Sequence, residues 1–161
     1  MFIKLLKILS TIVAILILSS HASSQNTQIS SFSKSKKLLL KVYKDNPVTL
    51  YCGCSYKGKK PNLSSCGYIP KKNKKRANRI EWEHIVPAWE FGHQLQCWQN
   101  GGRKNCRKVS AKFRKMEADI NNLAPAIGEI NADRSNYRFG MLAQNATQYG
   151  RCEVKVNFKQ R

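Results

Sequence analysis

Apolar residues recur at helical spacing along much of the chain. The first such segment, residues 31–44, carries an apolar stripe of Leu38, Leu39 and Val42, with lysines on the remaining surface. A serine near its start can cap a helix, and the Asp-Asn-Pro sequence at its end is typical of a helix terminus. Residues 88–94 have the composition of a second, shorter helix. Both segments are therefore predicted to be helical.

Two further helices are predicted in the second half of the chain. Residues 110–122 place Phe113, Met116 and Ile120 at positions i, i+3 and i+7, which is the repeat of a helix with one buried face. Residues 125–131 are predicted to form the last helix, because proline is favoured in the first helical turn.

Three shorter segments have the composition of strands. Residues 49–52 and 80–87 are rich in β-branched and aromatic side chains, and the second segment ends at Pro87. Residues 154–158 alternate between apolar and polar side chains, which predicts a final strand. Gly101 and Gly102 mark a turn, and the chain contains no internal repeat. This combination predicts a mixed α/β domain of the α+β class.

The first 22 residues have the pattern of a signal peptide. Lys4 and Lys7 precede an apolar run, and Ser20-His21-Ala22 supplies a small-residue cleavage pattern. A membrane anchor is the alternative, but a run of about 12 apolar residues is short for a bilayer span. We therefore expect residues 23–161 to be exported as one domain to the periplasm or the medium, without stable membrane association after cleavage.

The chain is strongly basic, and its few acids are clustered. Twenty-nine lysines and arginines against nine acids give a net charge of +20, and removal of the two signal-peptide lysines leaves +18. Seven of the nine acids lie between Glu81 and Asp133. This distribution suits a protein whose rim attracts phosphates and whose centre holds a cation. Charge alone also fits a cationic protein that binds anionic membranes.

Basic side chains are densest between residues 57 and 79. Such a run can be a solvated loop, but in so basic a chain it favours a row of phosphate contacts. Phosphate contacts carry no base specificity. The candidate nucleic-acid-binding residues in this run are Lys71, Lys72, Lys74, Lys75, Arg76 and Arg79.

The cysteines point to disulfides. An even number of cysteines behind a signal peptide is typical of an exported, disulfide-bonded domain. Six cysteines allow 15 pairings, among which sequence does not choose. A zinc site is the alternative, but Cys-x-Cys is not a usual zinc-ligand spacing. The six candidates are Cys52, Cys54, Cys66, Cys97, Cys106 and Cys152.

The segment Glu81-Trp82-Glu83-His84 brings together the groups that phosphodiester hydrolysis needs. A neutral imidazole can take a proton from water near neutral pH, and a carboxylate can hold a cation. Of the three histidines, His21 belongs to the signal peptide and His93 to a predicted helix, so His84 is the best candidate for a general base. A structural role for His84 is the alternative.

Strand geometry sets a condition on this site. Glu83 and His84 face opposite sides of a regular strand, whereas Glu81 and Glu83 share a side. For Glu83 and His84 to reach one phosphate, the strand must end or bulge at this point. Metal binding through Glu81 instead of Glu83 therefore stays open.

Several motifs, in order and with matching spacing, resemble the bacterial endonuclease I family of periplasmic or secreted non-specific nucleases. The resemblance covers residues 31–158. The motifs are Tyr51-Cys52-Gly53-Cys54, Ser65-Cys66-Gly67-Tyr68, residues 79–89 (RIEWEHIVPAW), Gln96-Cys97-Trp98-Gln99, Gly101-Gly102-Arg103-Lys104-Asn105-Cys106 and Gly128-Glu129-Ile130-Asn131.

The resemblance implies a ββα-metal (His-Me finger) core and assigns the site residues. His84 is implied to be the general base, Glu83 and Asn131 the ligands of Mg²⁺ or another divalent cation, and Arg103 a catalytic contact to the phosphate. Glu83 and Asn131 offer the hard oxygen ligands that Mg²⁺ prefers. The implied reaction is hydrolysis of DNA and RNA to 5′-phosphorylated oligonucleotides by a monomer.

The sequence departs from the family in two ways. Asn121 stands where members usually carry histidine, so any titrating role there is altered. Members also continue well beyond the position of Arg161, so the resemblance implies that the C-terminal part of the family fold is missing. A truncated, inactive nucleic-acid-binding protein is therefore the main alternative to an active nuclease, and a cationic membrane-active protein is a third.

Overall fold

The computed structural model describes residues 29–142 and 148–158, and the predicted signal peptide lies outside them. Within the described residues no helix is both long and apolar enough to cross a bilayer. The helices are α1 Phe32–Val42, α2 Lys74–Ala77, α3 Ala88–Gly92, α4 Gln96–Gln99, α5 Gly102–Val109, α6 Ala111–Glu117 and α7 Gly128–Arg134, and the strands are β1 Tyr56–Lys57, β2 Lys60–Pro61, β3 Ile80–His84 and β4 Leu123–Ile127. Short 3-10 helices span Leu63–Cys66 and Ile120–Asn122. Helices around two small sheets confirm the α+β class.

Helix α1 confirms the first predicted helix but packs on a different face. Leu39 is buried, whereas Leu38 and Val42 are exposed, so the predicted stripe is wrong at two positions. The inward face instead includes Phe32 and Ser35, and the Ser35 hydroxyl donates to the carbonyl of Ala118 at 2.6 Å. A small polar residue thus occupies an inward position that a search for apolar residues overlooks.

Strands β3 and β4 pair antiparallel, from Ile80 opposite Ile127 to His84 opposite Leu123, and α7 follows β4 directly. The prediction that Pro125 begins a helix is wrong, because Pro125 lies inside β4 opposite Trp82. The Pro125 carbonyl accepts the N–H of Leu50 at 2.8 Å, so the backbone polar atoms of this residue face away from β3. The missing N–H therefore costs no hydrogen bond in the sheet.

The two other predicted strands differ from the structure. Residues 49–52 form a turn, and the neighbouring pair Val48 and Ser55 makes only an isolated bridge. Residues 154–158 are irregular, although Val156 is buried as the alternation predicted. Leu50 makes one backbone hydrogen bond to Pro125 of β4, and the N–H of Val156 donates to the Gln148 side chain, so neither segment continues into a ladder. Side-chain pattern alone gave the wrong element.

The predicted helices at 88–94 and 110–122 are confirmed in shorter form as α3 and α6. The Ser110 side chain accepts the N–H of Phe113 at 3.1 Å and caps α6, and Phe113 is fully buried. Helix α5 was not predicted. The predicted turn is confirmed at Gly101, which precedes the first residue of this helix, Gly102; the two glycines have positive φ angles of 152° and 63°.

Disulfides tie these elements together. The three bridges are Cys52–Cys152, Cys54–Cys66 and Cys97–Cys106, and the described residues contain no free cysteine. The disulfide prediction is confirmed and the zinc alternative is excluded, since no thiolate remains to bind a metal. One core cluster, around Ile127, Ile130 and Tyr149, contains two of the bridges, and a second, around Phe113, contains the third.

Candidate functional site

A cleft of about 870 Å³ opens along β3 and is lined by residues of α1, α3, α5 and α7. Its lining includes all four residues predicted to carry the chemistry, which come from three separate stretches of chain: Glu83, His84, Arg103 and Asn131. Strand β3 ends at His84, so Glu83 and His84 both reach the cleft without a bulge. The strand thus ends where the sequence required it to end, and the approach of both side chains to one phosphate stays a prediction.

His84 lies deep in this cleft with one ring nitrogen fixed. Its ring packs between those of Phe32 and Phe91, at centroid distances of 5.0 and 6.1 Å, and its Nε2 lies 2.9 Å from the carbonyl oxygen of Glu117. Burial lowers the pKa of His84 to about 4, assisted by the nearby arginines and opposed by the bond to Glu117. The ring is therefore neutral at pH 7.

Glu83 is almost fully buried and held through one of its two carboxylate oxygens. Its Oε1 accepts from the Tyr51 hydroxyl at 2.5 Å and from Arg134 Nη1 at 2.6 Å. Burial raises the pKa of Glu83, although these two donors favour the charged form. Neither of the two bonds uses Oε2.

Asn131 and Glu81 form a second polar pair in the cleft. Asn131 Nδ2 donates to Glu81 Oε2 at 3.0 Å, which leaves Oδ1 on the opposite side of the amide. Both oxygens of Glu81 also accept from arginines, since Arg76 binds both and Arg79 binds Oε1. Three side chains thus donate hydrogen bonds to the carboxylate of Glu81, which disfavours this residue as the metal-binding acid.

The close approach of α7 to this pair requires a glycine. A Cβ atom at Gly128 would lie 2.7 Å from the Arg76 carbonyl oxygen and 2.8 Å from Glu81 Oε1. Both distances are shorter than real Cβ contacts. Gly128 therefore allows the first turn of α7 to lie against the Arg76 and Glu81 pair, with Asn131 one turn later.

Arg103 shares a buried carboxylate with a second arginine that the sequence did not single out. Arg103 Nε and Arg107 Nε lie 2.6 and 2.7 Å from the same oxygen of Glu117, and the Glu117 side chain is 3% exposed. If α5 had been predicted from the sequence, the spacing of i, i+4 between the two arginines would have placed both side chains on one face of the helix. Tyr51, Glu117 and Arg134 gave no such signal, because each is far from β3 in sequence.

The predicted basic run divides into two parts. Arg76, Arg79 and Lys59 line the cleft, whereas its lining includes none of the four lysines between residues 71 and 75. The backbone N–H groups of Lys71 and Lys72 donate instead to Glu129, and Lys72 Nζ lies 5.5 Å from the ring centre of Phe158. Phosphate binding by Lys71, Lys72, Lys74 and Lys75 stays a prediction.

Asn121, the departure from the family pattern, lies outside the main cleft. Its backbone N–H donates to Asp119 Oδ1 at 3.0 Å, and the residue lines a separate hollow of about 440 Å³ beside Val86 and Phe91. Phe91, which lines the same hollow, also packs its ring against that of His84.

Clusters of three or more histidine, cysteine, aspartate or glutamate side chains that could hold a metal are absent from residues 29–142 and 148–158. Metal binding by the smaller pair of Glu83 and Asn131, one carboxylate and one amide, stays a prediction. Their oxygens, Glu83 Oε2 and Asn131 Oδ1, are the hard donors that a small divalent cation prefers.

Comparison with known proteins gives a consistent result. The family model described as Endonuclease I matches residues 7–161. An extracellular deoxyribonuclease of Aeromonas hydrophila is 60% identical over 81% of this chain and 59% of its own length. A periplasmic deoxyribonuclease of the same species is 56% identical over 90% of this chain and 62% of its own length.

A more distant relative extends the same pattern. The Endonuclease-1 of Buchnera aphidicola subsp. Acyrthosiphon pisum (strain APS) is 53% identical over 83% of this chain and 54% of its own length. The chain thus spans less than two thirds of the length of the curated relatives it matches.

Proposed function

The chain belongs to the endonuclease I family, and we propose that it is a metal-dependent endonuclease that hydrolyses phosphodiester bonds of nucleic acid without sequence preference. The observation that carries this proposal is the convergence of Glu83, His84, Arg103 and Asn131 on one cleft. The proposed substrate is DNA, and also RNA, with 5′-phosphorylated oligonucleotides as products. The relatives named as deoxyribonucleases favour DNA.

The proposed compartment is the periplasm or the medium. Relatives of this chain are named extracellular and periplasmic deoxyribonucleases. Three disulfides agree with this location, because such bonds persist in an oxidising environment. The predicted signal peptide at residues 1–22 would deliver the protein there.

In the proposed mechanism His84 is the general base, and its hydrogen bond decides which nitrogen acts. The carbonyl of Glu117 can only accept, so Nε2 of His84 must carry the hydrogen. In the neutral ring Nδ1 is then the unprotonated nitrogen. The Nδ1 atom can take a proton from a water molecule, which then attacks phosphorus.

Glu83 and Asn131 would hold the divalent cation through Glu83 Oε2 and Asn131 Oδ1. A bound cation supplies charge stabilisation for the phosphate and for the leaving 3′ oxygen. Arg134 and Tyr51 keep the carboxylate of Glu83 in place through Oε1. Arg103 contributes a fixed positive charge beside the scissile phosphate, where charge develops in the transition state.

A nicking assay on supercoiled plasmid tests this proposal. The purified, oxidised chain is incubated with Mg²⁺, with EDTA, and with Mg²⁺ restored after EDTA. We expect cleavage only with the metal, and loss of cleavage in His84→Ala with retained binding in a gel-shift assay. The matched control is His93→Ala, because His93 stacks on Trp89 and is not part of the cleft lining.

The same assay separates the proposal from the main alternative. An inactive nucleic-acid-binding protein would shift the plasmid but leave it uncut at every metal concentration. Cleavage that continues in EDTA, or that survives in His84→Ala as in His93→Ala, would contradict the proposed mechanism. Leakage of anionic vesicles with no binding of DNA would instead support a membrane-active protein.

A further inference from the structure

Arg107 lies beside Arg103 in an arrangement that surface charge alone does not explain. The two residues are four positions apart on α5, so they project from one face of the helix. Two like charges at this spacing repel each other and destabilise a helix. Glu117 lies between them and neutralises only one of the two charges, so one positive charge remains in the cleft.

The way in which the arginines bind Glu117 leaves most of their donors available. Both arginines donate to Glu117 through Nε. Arg103 Nε binds Oε1 of Glu117, and Arg107 Nε binds both Oε1 and Oε2. A guanidinium has five N–H donors. The Nη groups are therefore not engaged by Glu117, and the two side chains are 38% and 46% exposed.

Both guanidiniums and the ring of the proposed base lie around the ring of Phe32. Their central carbons lie 6.0 and 5.9 Å from the centre of the Phe32 ring, and the His84 ring lies 5.0 Å from the same centre. Lys36 Nζ, at 4.9 Å from this ring centre, adds another positive charge on the cleft lining. A buried carboxylate, an aromatic ring and two oriented guanidiniums thus form one assembled site.

We propose that Arg107 is a second phosphate-binding residue that acts with Arg103, each arginine contacting one of two neighbouring phosphates of the substrate strand. Glu117 holds the two guanidiniums side by side through their Nε atoms, so that the Nη donors can bind phosphate oxygens. This inference rests on the proposed function and deepens it. The site takes a polyanionic strand with consecutive phosphates, in preference to a single phosphate group.

Equilibrium binding in EDTA tests the inference without any cleavage. The affinity of the oxidised chain for a fluorescent DNA duplex is measured over a range of salt concentrations. Each phosphate contact contributes about 0.9 to the slope of log affinity against log salt. We expect Arg107→Ala to reduce this slope by about that amount and to weaken binding roughly tenfold, equally for unrelated sequences.

Lys108→Ala is the matched control. Lys108 is the next residue on the same helix, it is exposed, and it does not line the cleft. The variant removes one positive charge at nearly the same place, so we expect a clearly smaller change of slope. Arg107→Lys should restore part of the affinity, since it keeps the charge and loses the planar fork.

Short competitor strands show whether the two arginines contact neighbouring phosphates. Binding without sequence preference has no fixed register on a duplex, so oligonucleotides with either one or two internal phosphates compete against the fluorescent duplex in EDTA. We expect the second phosphate to strengthen competition for the wild type and to add little for Arg103→Ala and Arg107→Ala. An equal gain from the second phosphate in the wild type and in Arg107→Ala would overturn the inference.

The outcomes also separate this inference from the proposed function. If the wild type binds and cleaves DNA while Arg107→Ala, folded by its thermal transition, keeps the wild-type slope and affinity, only the role of Arg107 is wrong. If Arg107→Ala loses thermal stability but not slope, the arginine is structural and the inference also fails. If the wild type does not bind the duplex at low salt, the proposed function fails too.

Discussion

Asn131 Nδ2 donates to Glu81 Oε2 at 3.0 Å, and this bond sets the orientation of the Asn131 amide. Because one end of an amide donates and the other accepts, the bond keeps Oδ1 on the side away from Glu81. Glu81 is itself held by Arg76 and Arg79. Glu81 therefore acts as a positioning residue for a proposed metal ligand, and it is not expected to be a ligand.

This relationship predicts different effects for the two acids of β3. Glu81→Ala should weaken Mg²⁺ binding about 10–100-fold, the range seen when a supporting contact to a metal ligand is lost. Glu83→Ala should abolish specific Mg²⁺ binding. Calorimetric titration of the metal into the substrate-free protein measures both effects, and Glu90→Ala is the control because Glu90 is not part of the cleft lining. Equal loss in the two variants would identify Glu81 as a ligand.

Arg134 is expected to be the residue on which the end of β3 depends most. Its side chain is 7% exposed, and it donates to Glu83 Oε1 and to the carbonyls of His84 and Ile85 at 2.6–2.8 Å. Arg134→Met would leave the Glu83 charge buried without its cation. We expect this variant to lose about 3–5 kcal/mol of unfolding free energy in urea titrations.

A double variant checks the cause of this loss. Glu83→Gln removes the charge that Arg134→Met leaves without a partner, so the two changes together should cost less than the sum of their separate costs. If the losses of unfolding free energy in the two single variants simply added up in the double variant, the broken ion pair would not be the cause of the loss in Arg134→Met. Arg134 would then stabilise the protein through its bonds to backbone carbonyls alone.

The sequence singled out candidate residues that the structure places in one cleft, but it did not reveal the residues that hold them in place. His84 and Glu83 stand out because a local motif carries them, and β3 was found because its aromatic and β-branched residues are contiguous. Disulfide bonding was predicted because the chain has six cysteines, an even number, behind a predicted signal peptide. These features depend on neighbouring residues or on composition, so a pattern along the chain can reveal them.

The supports depend on contacts between distant residues and could not be predicted. Arg134 is 51 residues from Glu83, and the carbonyl of Glu117 is 33 residues from His84. Helix α5 has a hydrophilic sequence whose one buried residue, Cys106, is bonded to Cys97, so no apolar repeat indicated it. Pro125 was misassigned because proline is tolerated both in the first helical turn and in a strand facing away from its partner.

Glu129 should make stability depend on acidic pH in a defined direction. Burial disfavours its charged form, but hydrogen bonds from the Tyr68 hydroxyl and from the backbone N–H groups of Asn73, Lys72 and Lys71 outweigh burial and lower its pKa below the ordinary 4.5. The folded protein therefore releases this proton more readily than the unfolded chain. The resulting stabilisation is complete above the unfolded pKa and is lost as pH falls through the folded pKa.

Glu129→Gln isolates this effect. At pH 7 the variant should be less stable by about 1–3 kcal/mol, because charged hydrogen bonds become neutral ones. The difference from wild type should shrink as the pH falls below the ordinary value of 4.5. Urea unfolding of both proteins in metal-free buffer between pH 3 and pH 7, about the range over which a carboxyl group titrates, measures the difference. A gap that stays constant or widens toward pH 3 would contradict the lowered pKa.

The three disulfides should contribute unequally to stability. The Cys52–Cys152 bridge closes a loop with a sequence separation of 100, whereas the Cys97–Cys106 bridge closes one of only 9. Because a crosslink restricts the unfolded chain more when its loop is longer, the paired Cys→Ala change at 52 and 152 should cost about 4–5 kcal/mol, and that at 97 and 106 about 2–3 kcal/mol. Urea unfolding without reductant gives both values.

The long bridge should also affect the site, since Cys52 follows Tyr51, whose hydroxyl holds Glu83. Loss of this bridge is expected to weaken Mg²⁺ binding, whereas loss of the Cys97–Cys106 bridge, which ties α5 to α4, should instead weaken binding of DNA by Arg103. Metal titration and duplex binding on both variants, below their unfolding transitions, separate the two effects. If each variant lost Mg²⁺ binding and duplex binding in the same proportion, the bridges would act only through global stability.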